Sequence, residues 1–255
     1  KPKPKKEVIP VEKKSEKIPL KKVAELTYEQ TSSELLNAIK TNSNTAEYIE
    51  KLKNADLEKL AVELNTEAKK TAFWVNAYNG YVQYYLEENP DAFENPEFFL
   101  SKEIIYIGGK ELSIDQIETD IFRFTEPAIT KGLLDNVFHS NFIKKFRLDK
   151  RDARIHFVLN NGAEDSPVIP LLTPTNLDKE LDKRTAAYLK KHTTYDSQKN
   201  VATTSTLLDW YRKDFGGKSG IDDWLKRYKA IPETADKPKI EFTGFDWSKR
   251  TRAFG

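Results

Sequence analysis

The run from Thr66 to Glu88 constrains the fold of this chain more than any other feature. Apolar side chains occupy nearly all sides of the helix that it would form, and its centre reads AFWVNAYNGYVQYYL. Pro90 lies just beyond the run, and a proline cannot continue a helix. A helix that is apolar all round must be covered by other elements on every side. We therefore predict one central helix around which the rest of the chain packs.

Helical spacing predicts further helices before this run. Leu35, Leu36 and Ile39 share one face of a helix that begins near Thr27. The following run NADLEKLAVEL again has apolar residues three and four positions apart. Helices therefore dominate the first third of the fold.

A strand and a turn are predicted for the run RIHFVLNNGAEDSP, which begins at Arg154. Alternation would place two sets of three residues on opposite faces of the strand, namely Ile155, Phe157 and Leu159 against His156, Val158 and Asn160. Asn161 and Gly162 then supply residues that favour a turn.

Other short strands are predicted around Gly108-Gly109 in EIIYIGGKELSI, in residues 193–204, and in KIEFTGFDW near the end of the chain. Ser113 and Gln116 form the capping-box pattern of the helix that follows the first of these strand pairs. Helices followed by mixed strands and helices favour the α+β class. We predict a helix-rich single domain with a small, mostly antiparallel sheet.

Residues 1–22 differ in composition from the rest of the chain. Nine Lys against three Glu give them a net charge of +6, which leaves −4 of the total +2 for the remaining residues. Four Pro and no periodic apolar pattern mean that the segment buries too little surface to offset its ordering entropy. We predict a flexible basic leader over residues 1–26 and a single globular domain over residues 27–255.

A solvated spacer is the preferred interpretation of this leader, and a tail that binds membrane phosphates or nucleic acid is the alternative. The total charge of +2 does not indicate a nucleic-acid-binding protein, so no nucleic-acid partner is predicted. A basic, proline-rich spacer suits a secreted or envelope protein. The sequence therefore predicts an extracytoplasmic location, in the periplasm or at the cell surface, with lipid-anchored or peripheral attachment.

Several kinds of site are excluded by composition. The chain has no cysteine, which rules out disulfides, thiolate nucleophiles and cysteine–zinc sites. It has no run of about 20 apolar residues, so no transmembrane helix is predicted. His139 and His192 lack the spacing of metal ligands, and neither a metal nor a cofactor is predicted.

Four blocks of the sequence occur in an order that identifies a family. They are FWVNAYNG at 73–80, LSIDQIETDIFR at 112–123, RIHFVLNNGAEDSP at 154–167 and LLDWYRKDFGG at 207–217. A closing FDWS at 245–248 follows them. Together these blocks resemble the family known as domain of unknown function 547, and the resemblance covers nearly everything after the leader.

The resemblance implies a hydrolase-like ancestry, with a fold similar to papain-like and transglutaminase-like enzymes. The family form that the blocks resemble has a His where this chain has Thr119, and Cys where this chain has Asn161 and Ser166. Those residue types are what a thiol-dependent acyl-transfer enzyme needs. The resemblance therefore implies a family member that has lost some of its catalytic side chains.

His156 is the centre of the candidate catalytic site, because histidine is the natural base near neutral pH. Ser166 follows in a turn and is the candidate hydroxyl nucleophile, and Glu118 is the candidate group that orients the imidazole. A Ser–His–Glu arrangement is thereby predicted. A buried, hydrogen-bonded structural role for His156 is the alternative.

Five residues are candidate binding residues, namely Trp74, Asn76, Asn79, Asn160 and Asn161. Asn76 and Asn79 lie three apart on an apolar helix, so both face the same way. Buried asparagines must find partners, and they either line a pocket or clamp the neighbouring backbone. Trp74 either lies in the core or stacks on a ligand.

Two functions remain open from the sequence. The first is an envelope or secreted protein that binds a peptide, a glycan or a partner protein. The second is an active hydrolase or acyl transferase that uses His156 with Ser166 or a bound water. A tethered scaffold without a cleft is a third, structural possibility. The geometry around His156 and Ser166 distinguishes them.

Overall fold

The structure is a computed structural model that describes residues 20–123 and 136–255. Its α-helices are α1 (Leu20–Glu25), α2 (Tyr28–Lys40), α3 (Ala46–Lys53), α4 (Leu57–Glu63), α5 (Glu67–Glu88), α6 (Pro96–Ser101), α7 (Ile114–Gln116), α8 (Asn136–Phe146), α9 (Leu177–Lys191), α10 (Leu207–Trp210) and α11 (Gly217–Arg227). Its strands are β1 (Glu103–Ile107), β2 (Lys110–Ser113), β3 (Thr194–Asp196), β4 (Val201–Ser205) and β5 (Lys239–Thr243).

The central helix is α5, as its all-round apolar pattern predicts. Every residue from Thr71 to Gln83 is buried. Thr66 caps the helix by accepting a hydrogen bond from the backbone N–H of Lys69 at 3.3 Å. Helix α2 packs closely against it, since a Cβ at Gly80 would lie only 3.2 Å from the Leu35 side chain. Glycine permits this approach of the two backbones.

Helix α1 lies inside the segment, residues 1–26, that the sequence assigns to the leader. Val23 is buried in the main core. The ammonium of Lys51 donates to the carbonyl oxygens of Val23 at 2.7 Å and Ala24 at 3.1 Å. A cation at the end of a helix satisfies carbonyls that have no partner within it. Residues 1–19 of the predicted leader lie outside the described residues.

The predicted hairpin is confirmed by the antiparallel pairing of β1 with β2. Gly108 and Gly109 form its two-residue turn with φ of 55° and 71°, a conformation that glycine adopts without steric cost. Their N–H groups donate to the carbonyl oxygens of Leu52 and Lys53 at 2.9 and 2.7 Å. The turn therefore caps the end of helix α3.

Strands β3, β4 and β5 form a second sheet, in which β3–β4 is antiparallel and β4–β5 is parallel. The α+β class is confirmed, but the strands belong to two small sheets rather than to one. The sheets lie beside different hydrophobic clusters: β1 and β2 contribute to the main core around α5, whereas Ala202 of β4 belongs to a second cluster with α11.

The predicted strand at 154–160 is wrong. Residues Ala153–Phe157 form a 3-10 turn whose first N–H groups are capped by Asp152, which accepts from the N–H of Arg154 at 3.0 Å. The alternation of apolar residues was misleading because the segment passes between the two hydrophobic clusters and is buried on both sides. Ile155 and Val158 belong to the main core, and Phe157 belongs to the second cluster. An apolar run buried on both sides has no reliable periodicity.

The helix predicted after β2 begins with the expected capping box of Ser113 and Gln116. After one turn of α-helix it continues as a π-helical turn over Ile117–Phe122, in which the N–H of Arg123 donates to the carbonyl oxygen of Glu118 at 3.1 Å. Single π-helical turns occur frequently at functional sites. This one carries Glu118 and ends at Arg123, and both side chains contribute to the candidate site.

Candidate functional site

A buried imidazole–carboxylate pair forms the centre of the candidate site. Nε2 of His156 lies 2.9 Å from Oδ2 of Asp214, and the two side chains are 6% and 2% exposed. Nε of Arg123 donates to the same oxygen at 2.6 Å. The 3-10 turn supplies His156, the π-helical turn leads into Arg123, and the segment before α11 supplies Asp214. Three separate parts of the chain therefore meet at one carboxylate oxygen.

The Asp214 carboxyl is ionised at neutral pH. Burial raises its pKa, but the hydrogen bonds and charges of His156 and Arg123 outweigh burial and lower the pKa to about 2. An ionised carboxylate accepts hydrogen bonds only. Nε2 of His156 therefore carries the proton that it donates to Asp214, which leaves Nδ1 as the ring nitrogen for other contacts. Among the described residues, Nδ1 has no hydrogen-bond partner.

Asp214 therefore has the role that the sequence assigned to Glu118, and that prediction is wrong. The two residues of the observed pair are 58 positions apart in the chain. Asp214 lies within the block LLDWYRKDFGG, which the resemblance identifies, but nothing in its spacing points to His156. Sequence reasoning missed it for that reason.

Glu118 is held instead by two phenols. The hydroxyl of Tyr78 donates to Oε1 at 2.7 Å, and the hydroxyl of Tyr211 donates to Oε2 at 2.6 Å. Burial, and next the charge of Glu118, raises the pKa of both tyrosines well above the ordinary value. Both hydroxyls therefore stay protonated and remain donors. Tyr211 also stacks on His156, with ring centroids 3.8 Å apart and ring planes 15° apart.

Ser166 does not contact His156 through a hydrogen bond in the described structure. Its hydroxyl donates to Oδ1 of Asn161 at 2.6 Å and accepts from the N–H of Ala163 at 3.2 Å. These bonds close the turn that follows the 3-10 segment. A serine becomes a nucleophile when an adjacent base takes its proton, and no base is bonded to Ser166. The predicted Ser–His–Glu arrangement is therefore not formed.

The candidate residues nevertheless converge on one small pocket. Its polar lining comes from Tyr78, Glu118, His156, Asn161, Ser166 and Tyr211. Its volume is about 30 Å³, which is room for about one water molecule. The three residues of the predicted catalytic arrangement therefore line one pocket, with mutual contacts that differ from those predicted. We call this cavity the His156 pocket.

Asn76 and Asn79 clamp the backbone that surrounds the pocket. Nδ2 of Asn76 donates to the carbonyl oxygen of Leu172 at 2.8 Å, and its Oδ1 accepts from the N–H of Leu172 at 3.1 Å. Asn79 bonds in the same way to the Val158 carbonyl oxygen and the Asn160 N–H, both at 2.9 Å. Both asparagines are fully buried. Their structural role is the one observed, and neither side chain reaches the pocket.

Asn160 is also a clamp. Its Nδ2 donates to the Pro167 carbonyl oxygen at 2.7 Å, and its Oδ1 accepts from the N–H of Gly162 at 2.9 Å. Trp74 is fully buried, and its Nε1 donates to the carbonyl oxygen of Phe146 at 3.1 Å. The binding roles predicted for Asn76, Asn79, Asn160 and Trp74 are therefore corrected. Of the five candidates, Asn161 alone lines the His156 pocket.

Three aromatic side chains form a surface at the mouth of this pocket. Trp210 and Phe245 line the pocket itself, with ring centroids 5.0 Å apart. Trp247 lies 5.7 Å from Trp210 and 4.8 Å from Phe245, measured between ring centroids. Trp210 is 47% exposed, which is unusual for so large an apolar side chain. We call Trp210, Phe245 and Trp247 the aromatic patch.

Neither a metal site nor a membrane-spanning helix is found within residues 20–123 and 136–255. No group of three or more His, Asp or Glu side chains in these ranges is arranged to hold a metal ion. No helix in these ranges has the length and apolar character needed to cross a bilayer.

Comparison with known proteins gives one family. Residues 62–189, half of the chain, match the family described as "Protein of unknown function, DUF547". No curated protein and no solved structure matches the chain, so the implied likeness to papain and transglutaminase folds stays a prediction. The matched range includes α5 with its asparagine clamps, the π-helical turn and the His156 turn. The chain therefore belongs to the DUF547 family.

Proposed function

We propose that this chain is a non-covalent binding domain for an extended polar ligand, a glycan or a peptide, free or presented on a partner protein. One observation carries the proposal, namely that the aromatic patch, in which Trp210 is 47% exposed, adjoins a polar pocket. Half-exposed tryptophan offers a large, rigid face on which a sugar ring or a peptide side chain stacks. The His156 pocket then takes one small polar group of the same ligand.

The polar lining suits such a group. Glu118 offers an acceptor, His156 offers a ring nitrogen, and Asn161 offers a side-chain amide. A hydroxyl or amide N–H of the ligand donates to these atoms in place of water. A few placed polar groups beside an apolar surface are the usual composition of a ligand site.

Lost catalysis, from a hydrolase-like ancestor, is the second part of this proposal. Asn161 and Ser166 occupy the positions at which the resembled family form has Cys. In this chain the two side chains bond to each other at 2.6 Å rather than to His156.

The test measures binding to a glycan array and a peptide library, followed by titration of the best ligand. Trp210→Ala is expected to weaken binding by at least about tenfold, the loss of one good stacking contact. Phe98→Ala is the matched control, because Phe98 is 63% exposed but lies in a different surface pocket with Tyr85. Equal loss in both variants, or no ligand in either library, would overturn the proposal.

A hydrolase that uses a bound water is the second candidate, because His156 is held by an ionised carboxylate and keeps a free nitrogen. Such a histidine is a suitable general base. The test compares wild type with His156→Ala on a panel of ester, amide and glycoside substrates. Turnover by the wild type that is absent in His156→Ala would establish a hydrolase and would contradict the proposal that catalysis has been lost.

We also propose that the protein works outside the cytoplasm, on the basic and proline-rich composition of residues 1–22. Fractionation of the source cells with an antibody against the chain tests this. Recovery with the envelope or the medium is expected, and recovery only with the cytoplasm would contradict it.

A further inference from the structure

A second and larger cleft shares no residue with the His156 pocket. Its volume is about 630 Å³, which is within the usual range for ligand sites. Its walls come from the start of α5, from residues 148–154, and from the end of α11, where Trp224 and Tyr228 give it an apolar side. We call it the α11 cleft.

Two buried carboxylate oxygens at this cleft accept no hydrogen bond, Oε1 of Glu67 and Oδ1 of Asp214. The ammonium of Lys70 lies 3.5 Å from the first of them. Asp214 lines the cleft with a side chain that is only 2% exposed, and its Oδ1 accepts no hydrogen bond. The other oxygen, Oδ2, faces His156 and Arg123, neither of which lines the cleft. Oδ1 lies instead 3.8 Å from Nη1 of Arg151, a distance beyond a hydrogen bond, and Arg151 does line the cleft. A buried oxygen without a donor is costly, and a ligand donor would satisfy it.

The same cleft holds two cations, Lys150 and Arg227, whose side chains form no ion pair or hydrogen bond within the described part of the chain. The guanidinium of Arg227 lies 5.7 Å from the ring centroid of Tyr228. Arg154, by contrast, is neutralised by Asp152 at 2.6 Å and Asp178 at 2.8 Å. Glu67 is paired with Lys70 at 3.5 Å, so the groups that remain for a ligand are Lys150, Arg227 and Oδ1 of Asp214.

We propose that the α11 cleft binds a short peptide by both of its ends. The free α-ammonium donates to Oδ1 of Asp214, and the free carboxylate accepts from Lys150 and Arg227. The side chains of the peptide pack against Trp224. A simple anion would be repelled by Asp214, and a simple cation by Lys150 and Arg227. A ligand with both charges satisfies all three groups.

The half-exposed Arg151 side chain has to rotate before the ammonium reaches Oδ1, because Oδ1 is shielded from water in the described structure. Charge-assisted hydrogen bonds of this kind are about twice as strong as neutral ones. Both ends of the peptide therefore contribute strongly to the affinity.

Calorimetric titration of the full chain with the tripeptide Ala-Phe-Ala tests the proposal. N-acetylation removes the ammonium and C-terminal amidation removes the carboxylate, and each change is expected to weaken binding by at least about tenfold. Equal affinity of the free and blocked peptides would overturn the proposal. So would the absence of binding by the free tripeptide at millimolar concentration.

Variants locate the site. The double change Lys150→Ala and Arg227→Ala is expected to reproduce the loss seen with the amidated peptide. Lys218→Ala is the matched control, since Lys218 lies on the same helix α11, is exposed, and does not line the cleft. Phe98→Ala should also leave this affinity unchanged, because Phe98 is an exposed apolar residue outside the cleft. A loss in Lys218→Ala or Phe98→Ala equal to that in the double variant would contradict the assignment.

Discussion

Replacement of Asn76 by alanine tests whether the asparagines of α5 stabilise the backbone that surrounds the His156 pocket. Asn76 exchanges two hydrogen bonds with the backbone of Leu172, at 2.8 and 3.1 Å, and both residues are fully buried. Alanine leaves one N–H and one carbonyl oxygen of Leu172 without partners. Each unsatisfied buried group costs about 1–3 kcal/mol. We expect Asn76→Ala to lower the free energy of unfolding by about 2–5 kcal/mol.

Urea denaturation followed by circular dichroism measures this change. Asn89→Ala is the control on the same helix, because the Asn89 amide donates to the Tyr85 carbonyl oxygen at 3.1 Å but is exposed. Water replaces that bond, so the control should lose no more than about 1 kcal/mol. A loss below about 1 kcal/mol for Asn76→Ala would refute the clamp, since it would mean that the Leu172 backbone is satisfied without the asparagine.

Acid titration, a glycine pair and a tyrosine pair give three further predictions. Because the folded-state pKa of Asp214, about 2, lies below the ordinary value near 4, its carboxylate adds stability above about pH 4 that is lost as the pH falls towards 2. Urea midpoints between about pH 2 and pH 5 should therefore fall more steeply in wild type than in Asp214→Asn. Gly108→Ala should cost more than Gly109→Ala in thermal unfolding. Both have positive φ, a strain of about 1–2 kcal/mol, but only a Cβ at Gly108 would meet neighbours, 2.2 Å from Leu57 and 2.9 Å from a backbone oxygen. Tyr78→Phe should lose about 1–2 kcal/mol by urea denaturation because Glu118 loses a donor, whereas the Tyr84 hydroxyl has no described partner and Tyr84→Phe should change little. Three results would count against the corresponding contacts. They are the same pH dependence in wild type and Asp214→Asn, equal losses in the two glycine variants, and equal losses in the two tyrosine variants.

Local patterns predicted the parts of the fold that depend on neighbouring residues. The all-round apolar run of α5, the Gly108-Gly109 hairpin and the capping box of Ser113 and Gln116 each depend on residues that are close together in the sequence. The turn over 154–160 was predicted incorrectly, because its burial between two clusters depends on residues from α5 and α11. Periodicity carries no information about a segment that is covered on both sides.

The sequence predicted which residues lie close together around His156, but not the hydrogen bonds that they form. His156, Glu118, Ser166 and Asn161 do line one pocket. Their hydrogen bonds could not be predicted, because each depends on a partner placed by tertiary packing. Asp214 is the clearest example, since its distance from His156 in the chain hides a contact of 2.9 Å.

The indole N–H signals of the four tryptophans test the central claim most directly. A nitrogen–proton correlation spectrum is recorded while the best glycan or peptide ligand is added, and signals are assigned by single Trp→Phe changes. The proposed function predicts shifts for Trp210 and Trp247 of the aromatic patch. It predicts no shift for Trp74, which is fully buried and bonded to Phe146. Saturation by the ligand with the Trp210 and Trp247 signals unmoved would contradict the proposed binding surface.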